Sequence, residues 1–133
     1  MTTSNRHIQP DGIFANPAYT HVVVSNRPTT VYVSGQVSAD ADGNLVGEGD
    51  LFAQTEQVLR NLGTALAAAG ATFADVVKIT TFVVDYNVEA RAVMAKARAQ
   101  FFTGEPPAST LVGVSALALP GWLIEIEAIA TVG

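Results

Sequence analysis

Two carboxylates, Glu125 and Glu127, interrupt the apolar run Ile124-Glu-Ile-Glu-Ala128. If that run is a strand, both point to one face with Cα atoms roughly 7 Å apart. A carboxylate so held can pass a proton to and from a bound water as a general acid or base. By residue type alone, the same pair also suits a solvated strand face or salt-bridge partners. Lys78 sits in another apolar run, Val76-Val-Lys-Ile79, and reads as a structural charge; Schiff-base chemistry would require a desolvated setting. Ser109 and Thr110 follow the Pro106-Pro107 pair and bring two hydroxyls to a strand entry. Tyr19 offers an apolar ring with a polar tip, fit for packing or for ligand contact. His7 and His21 lie in separate segments without carboxylates at metal-ligand spacing, so both read as structural and no metal site is expected. The chain has no cysteine, which removes disulfides, thiolate nucleophiles and thiolate metal sites.

The 133 residues carry a net charge of −5 with only seven basic side chains, and these are scattered. Nucleic-acid and anionic membrane surfaces are met by clustered Lys and Arg, so neither is expected as a partner. The segment Met1-Thr-Thr-Ser-Asn-Arg-His7 lacks an apolar run of signal-peptide type, and no stretch reaches the length of a membrane span, which makes cytoplasmic the expected location. The length fits one domain over residues 1–133.

The elements that must position these residues follow from pattern. Residues 1–16 are polar and irregular and read as an arm or edge element. His21–Ser25 and Val31–Ser34 are short apolar runs separated by Asn26-Arg-Pro-Thr29, the pattern of a β-hairpin. Asp50 is a good N-cap for a helix whose stripe is Phe52, Leu59, Leu62, Leu66 and Ala69, with Gln54, Glu56, Gln57, Arg60 and Asn61 on the wet side. Gly70 ends it. Val76–Val84 is rich in β-branched residues and reads as a central strand. A second helix starts after Asn87, buries Ala90, Val93, Met94, Ala97 and Phe101, and ends by Gly104 and the two prolines. Strands follow near 110–115 and 122–131. The order ββαβαββ predicts an α+β fold, a mixed sheet with both helices on one face.

Such a sheet has a second face that should be polar if it meets water. Val77, Ile79, Thr81 and Val83 point one way on the central strand, and Val76, Lys78, Thr80, Phe82 and Val84 the other; both sets are apolar. With 49% hydrophobic and 14% charged residues, the chain is short of polar cover. A closed homo-oligomer is expected, with ligand clefts between subunits.

Several segments together resemble the reactive-intermediate deaminase family (RidA/YjgF, also called endoribonuclease L-PSP). They are Pro17-Ala-Tyr19, Val33-Ser-Gly-Gln36, Gly43–Gly47, Gln54, Asn61, Ala68-Ala-Gly70, Val76-Val-Lys78, Phe82–Asp85 and Ile124–Ala128. The resemblance implies a chorismate-mutase-like fold with a six-stranded mixed sheet. It also implies a homotrimer with a small-molecule ligand in each inter-subunit cleft, hydrolysis of reactive imines or enamines to 2-keto acids and ammonia, and no cofactor. It assigns Glu125 to the attacking water, Tyr19, Ser34 and Gly35 to the pocket, and Ser109 and Thr110 to its lining. Glu127 is then structural, paired with Lys78. One position departs from the family pattern: where a Pro-Ala-Arg-Ser motif supplies a carboxylate-binding Arg, this chain has Pro107-Ala-Ser-Thr110, so Ser109 stands in the Arg place. A hydroxyl can hydrogen-bond a carboxylate but cannot neutralise it.

Overall fold

The computed structural model describes residues 5–133; residues 1–4 of the expected N-terminal arm lie outside the described residues. In chain order the elements are β1 (Arg6–Ile8), β2 (Val22–Val24), β3 (Thr29–Gln36), α1 (Leu51–Ala68), a 3-10 turn (Phe73–Asp75), β4 (Val76–Val84), α2 (Val88–Arg98), β5 (Ala108–Val114) and β6 (Ile124–Val132). The fold is α+β, as the alternation of patterns predicts.

The caps define the helices. Asp50 accepts a hydrogen bond from the Ala53 N–H (3.0 Å), and Asn87 accepts one from Ala90 (2.7 Å). Beyond α1 the chain turns at Gly70, whose φ of +73° suits a residue without a Cβ. Val58, Leu59, Leu62 and Leu66 of α1 are fully buried against Ile79, Val83, Ile124, Ile126, Ala128 and Ala130 of the sheet. Each such side chain removed from water contributes roughly 2 kcal/mol, an upper estimate. α2 adds Ala90, Met94 and Ala97 to the same layer.

Six strands form, but not one sheet. Four make a mixed sheet ordered β3-β6-β4-β5, antiparallel except for the β4–β5 pair, and β1 and β2 form a separate ribbon. The expected hairpin between residues 21–25 and 31–34 is therefore absent: β2 pairs with β1, Val24 opposite Arg6. The intervening segment leaves the ribbon by side-chain contacts that a tight hairpin does not allow. Ser25 Oγ donates to Thr131 Oγ1 (2.8 Å), and Arg27 reaches Asp75 (2.6 Å). Thr131 Oγ1 also donates to Asn5 (3.1 Å), so the ribbon lies over one end of the face that the helices leave open.

Three finer readings need correction. The strand faces of β4 shift because an extra residue bulges between Val76 and Lys78, which places Val76 in the helix-side core together with Ile79, Thr81 and Val83. Gln54 is completely buried rather than wet, because its amide stitches two loops together: Nε2 donates to the carbonyls of Gly47 and Gly121 (both 3.0 Å), and Oε1 accepts from the Leu123 N–H (2.8 Å). Ala69 is exposed, and α2 stops at Arg98, so Phe101 follows the helix and meets Phe73 at 5.6 Å between ring centroids.

Candidate functional site

β6 carries Glu125 and Glu127 on the open face, between Ile124, Ile126 and Ala128, which point into the helix-side core. Glu125 stands opposite Phe82 of β4 and is half-buried, while Glu127 is exposed. On the other side of β6, the ladder to β3 shifts register between Val33 and Gln36. Gly35 lies in that irregularity, and a Cβ on it would fall on the carboxylate of Glu125. The missing side chain at 35 is thus the space that Glu125 occupies. Among the described residues, the Glu125 carboxylate has no hydrogen-bond donor and no cation partner. A half-buried carboxylate without a protein partner is equipped to hold water or ligand.

Ser34 is exposed on β3, next to Gly35. Thr110 joins the open face from β5, where its hydroxyl accepts a hydrogen bond from Lys78 Nζ at 2.6 Å. That contact replaces the expected Lys78–Glu127 pair: Thr110 is directly opposite Thr80 on the adjacent strand, within reach of the lysine stem, and no ion pair joins Lys78 to Glu127.

Ser109 lies on the other side of the sheet. It pairs with Ile79, a helix-side residue, and it lines a cavity of about 300 Å³ between β5, α2 and the loop before Thr20. Tyr19 lines the same cavity. Its loop is tied to the β5 entry by Thr20, whose N–H donates to the Pro107 carbonyl (3.1 Å) and whose hydroxyl donates to Pro106 (2.5 Å). The ring of Tyr19 stands edge-on to His21 at 5.2 Å, and His21 Nε2 lies 2.6 Å from the Phe14 carbonyl. Among the described residues no three His, Asp or Glu side chains are grouped to hold a metal ion.

The sequence-predicted residues therefore fall into two groups. Ser34, Gly35, Thr110 and Glu125 share the open face, and Tyr19 and Ser109 share the helix-side cavity. Pattern reading passed over Arg91 and Arg98, which line that cavity from α2 together with Met94 and Ala95. The signal was available: residues seven apart on a helix share a face, and each Arg follows a core alanine, Ala90 or Ala97. Arg98 Nη2 donates to the Ala18 carbonyl (3.0 Å).

Comparison with known proteins agrees with this architecture. A family model described as Endoribonuclease L-PSP matches residues 11–132. The chain is 39% identical over 112 residues to Protein DfrA of Myxococcus xanthus, covering 84% of this chain and 83% of that protein. It is 38% identical over 116 residues to the 2-iminobutanoate/2-iminopropanoate deaminase of Rattus norvegicus, covering 87% and 81%. Among solved structures, the Rid-family protein YyfB of unknown function from Yersinia pestis superposes with a TM-score of 0.92 at 42% identity, covering 97% of this chain and 99% of that one. A putative endoribonuclease from Thermotoga maritima gives 0.71 at 32%, covering 96% and 98%. With the family model spanning nearly all described residues and the closed α+β layer reproduced at that similarity, the chain belongs to the Rid, or endoribonuclease L-PSP, family.

Proposed function

We propose that this protein hydrolyses the C=N bond of a small imine, or of the enamine that tautomerises to it, in clefts between subunits of a homotrimer. The observation that carries the reading is the unpartnered, half-buried carboxylate of Glu125 lying over Gly35. In that role Glu125 takes a proton from water as the oxygen–carbon bond forms, and returns it to nitrogen as the carbon–nitrogen bond breaks, releasing ammonia and a carbonyl compound. The likeness to a deaminase at 38% identity supports the reaction class.

The oligomer is part of the proposal. One chain holds Glu125 and the Tyr19–Ser109 cavity on opposite faces of its sheet, so a site that uses both takes them from two copies. The open face supports association: Tyr32 of β3 is 78% exposed there, and aromatic residues are enriched where chains meet. Ser34 and Gly35 then border the cleft, with Thr110 and Ser109 on the two sides of β5. The basic grooves that RNA binding needs are not favoured by a net charge of −5, despite the nuclease in the family's name.

The test generates imines in place with an amino-acid oxidase and follows their decay, alongside an uncharged imine. Wild type should accelerate decay, and Glu125→Gln should lower kcat by a hundredfold or more with an unchanged melting temperature. The solution mass should be three times that of the 13.9 kDa chain. No acceleration of any imine, or full activity in Glu125→Gln, overturns the reaction and leaves a ligand-binding trimer, which a thermal shift with small metabolites and no turnover would establish.

A further inference from the structure

A second cavity, of about 450 Å³, opens between β1, the 3-10 turn ahead of β4 and the loop from α2 to β5. It shares no lining residue with the Tyr19–Ser109 cavity. Phe73, Phe101 and Phe102 form its aromatic wall, the ring of Phe73 lying 5.6 Å from that of Phe101 and 5.0 Å from that of Phe102 between centroids. Besides threonine hydroxyls, its polar side chains are His7 and Glu105, and among the described residues no Lys or Arg lines it. His7 Nδ1 lies 2.9 Å from Glu105 Oε2 but out of line for a hydrogen bond, and that nitrogen is closed off from water. The other ring nitrogen, Nε2, keeps accessible surface. The Glu105 side chain is 72% exposed and meets no other cation among the described residues.

Ordinary packing accounts for part of this. The three phenylalanines pack against the core, and an exposed carboxylate beside a histidine is usually a weak surface pair. Packing does not explain why these side chains leave a space within the range of ligand pockets. Nor does it explain a buried imidazole nitrogen without an aligned partner. The polar groups also share one sense. An ionised carboxylate only accepts, and a neutral imidazole with its proton on Nδ1, toward that carboxylate, offers Nε2 as a second acceptor. Their complement is a positively charged donor. Aromatic rings favour the same charge, and the Phe102 ring already receives one cation, the Arg98 guanidinium, at 5.6 Å.

We propose that this cavity binds a small primary amine with an aromatic body, its ammonium held by Glu105 and His7 Nε2 and its ring against Phe73, Phe101 and Phe102. Glu105 turns to the ligand at little cost, because its contact with His7 is out of line and largely in water. The groups that admit an amine exclude a carboxylate, which Glu105 repels. The site goes beyond the proposed reaction and stands without it: it lies within one chain and uses neither Glu125 nor a second copy.

The probe is 2-phenylethylamine, titrated calorimetrically into the full chain at low salt and about pH 8, where the amine is charged and a histidine with an ordinary pKa is not. The controls are uncharged 2-phenylethanol and anionic 3-phenylpropanoate. Wild type should bind the amine at millimolar concentration or below, the alcohol about threefold or more weakly, and the acid more weakly still. Glu105→Gln should bring the amine down to the affinity of the alcohol. Raising the salt to about 1 M, where charges are screened beyond about 3 Å, should do the same in wild type. Ala74→Leu adds bulk at the cavity wall and should weaken amine and alcohol alike. Should that variant fail to fold, amide chemical shifts of wild type locate the site: those of Phe73, Phe101 and Glu105 should move with the amine, and that of Ser109 should not. Absence of amine binding to wild type overturns the inference. So does equal amine affinity in Glu105→Gln, or a set of shifts centred on Ser109.

Discussion

The two faces of the four-stranded sheet are built from alternate residues of the same strands, yet they differ in almost every physical respect. The helix side is an apolar layer, and the charged residues lining its cavity among the described residues are two arginines, Arg91 and Arg98. The open side carries Glu125, Glu127, Lys78 and Thr110, with the β1–β2 ribbon covering the end near Thr131. Because Arg98 and Glu125 belong to opposite faces, they cannot neutralise one another within a chain. The sheet therefore keeps unlike charges a layer apart, neither with a counter-charge among the described residues. A helix surface, where residues three and four apart touch, would have paired them.

The sharpest way to break this comparison uses neighbouring residues on β6. Ile126 is 1% exposed, and Ile126→Ala should cost about 3 kcal/mol in urea unfolding. Glu127→Ala should change stability by less than about 0.5 kcal/mol in a dissociated single chain, where Glu127 is exposed. A Glu127→Ala loss approaching that of Ile126→Ala would mean that another chain covers the open face. A smaller effect is expected one layer away, at Gln54. Gln54→Leu keeps the volume but strips partners from the Leu123 N–H and from the Gly47 and Gly121 carbonyls; about 2 kcal/mol should be lost in the same assay.

The smallest effect concerns how the ribbon is fastened. Burial raises the pKa of Asp75, but hydrogen bonds from Arg27 and Thr72 and the charge of Arg27 outweigh it, so the net shift is downward. A carboxylate depressed in the folded state contributes stability that is present above its unfolded pKa, about 3.9, and is lost as pH falls through the folded value. The loss should appear as pH falls below about 4 and amount to no more than about 1 kcal/mol, and Arg27→Met should flatten that part of the unfolding profile.

Much of the fold was legible in local chemistry. Asp50 and Asn87 mark helix starts because their side chains satisfy N–H groups that a helix leaves free, and this depends on no distant partner. The alternation of β6 reads correctly for the same reason. What failed depended on non-local contacts. The partner of β2 was not its neighbour in sequence, since Thr131 and Asp75, 106 and 48 residues along the chain from Ser25 and Arg27, draw those two side chains away. The bulge after Val76 leaves no mark in a run of valines. Gln54 looks wet by type, and only the loops converging on it explain its burial. The site was legible where a residue type is demanding: Gly35 beneath Glu125 is one case. The spacing of Arg91 and Arg98 is legible in α2, but the cavity they line is not, because residues of β5 and Ala18-Tyr19, distant in sequence, close it.

The strand order has a consequence in time. β6 is the last strand in sequence, yet it sits inside the sheet between β3 and β4. During synthesis β3 has no strand to pair with until residues 124–132 have emerged, roughly a hundred residues after it. Until then the valines of β3 and β4 wait with unfilled edges between them, and the chain cannot lock its layers in stages. Closure is a late, single event. A ribosome stalled before Ile124 would therefore hold a chain with both helices made and no complete sheet to receive them.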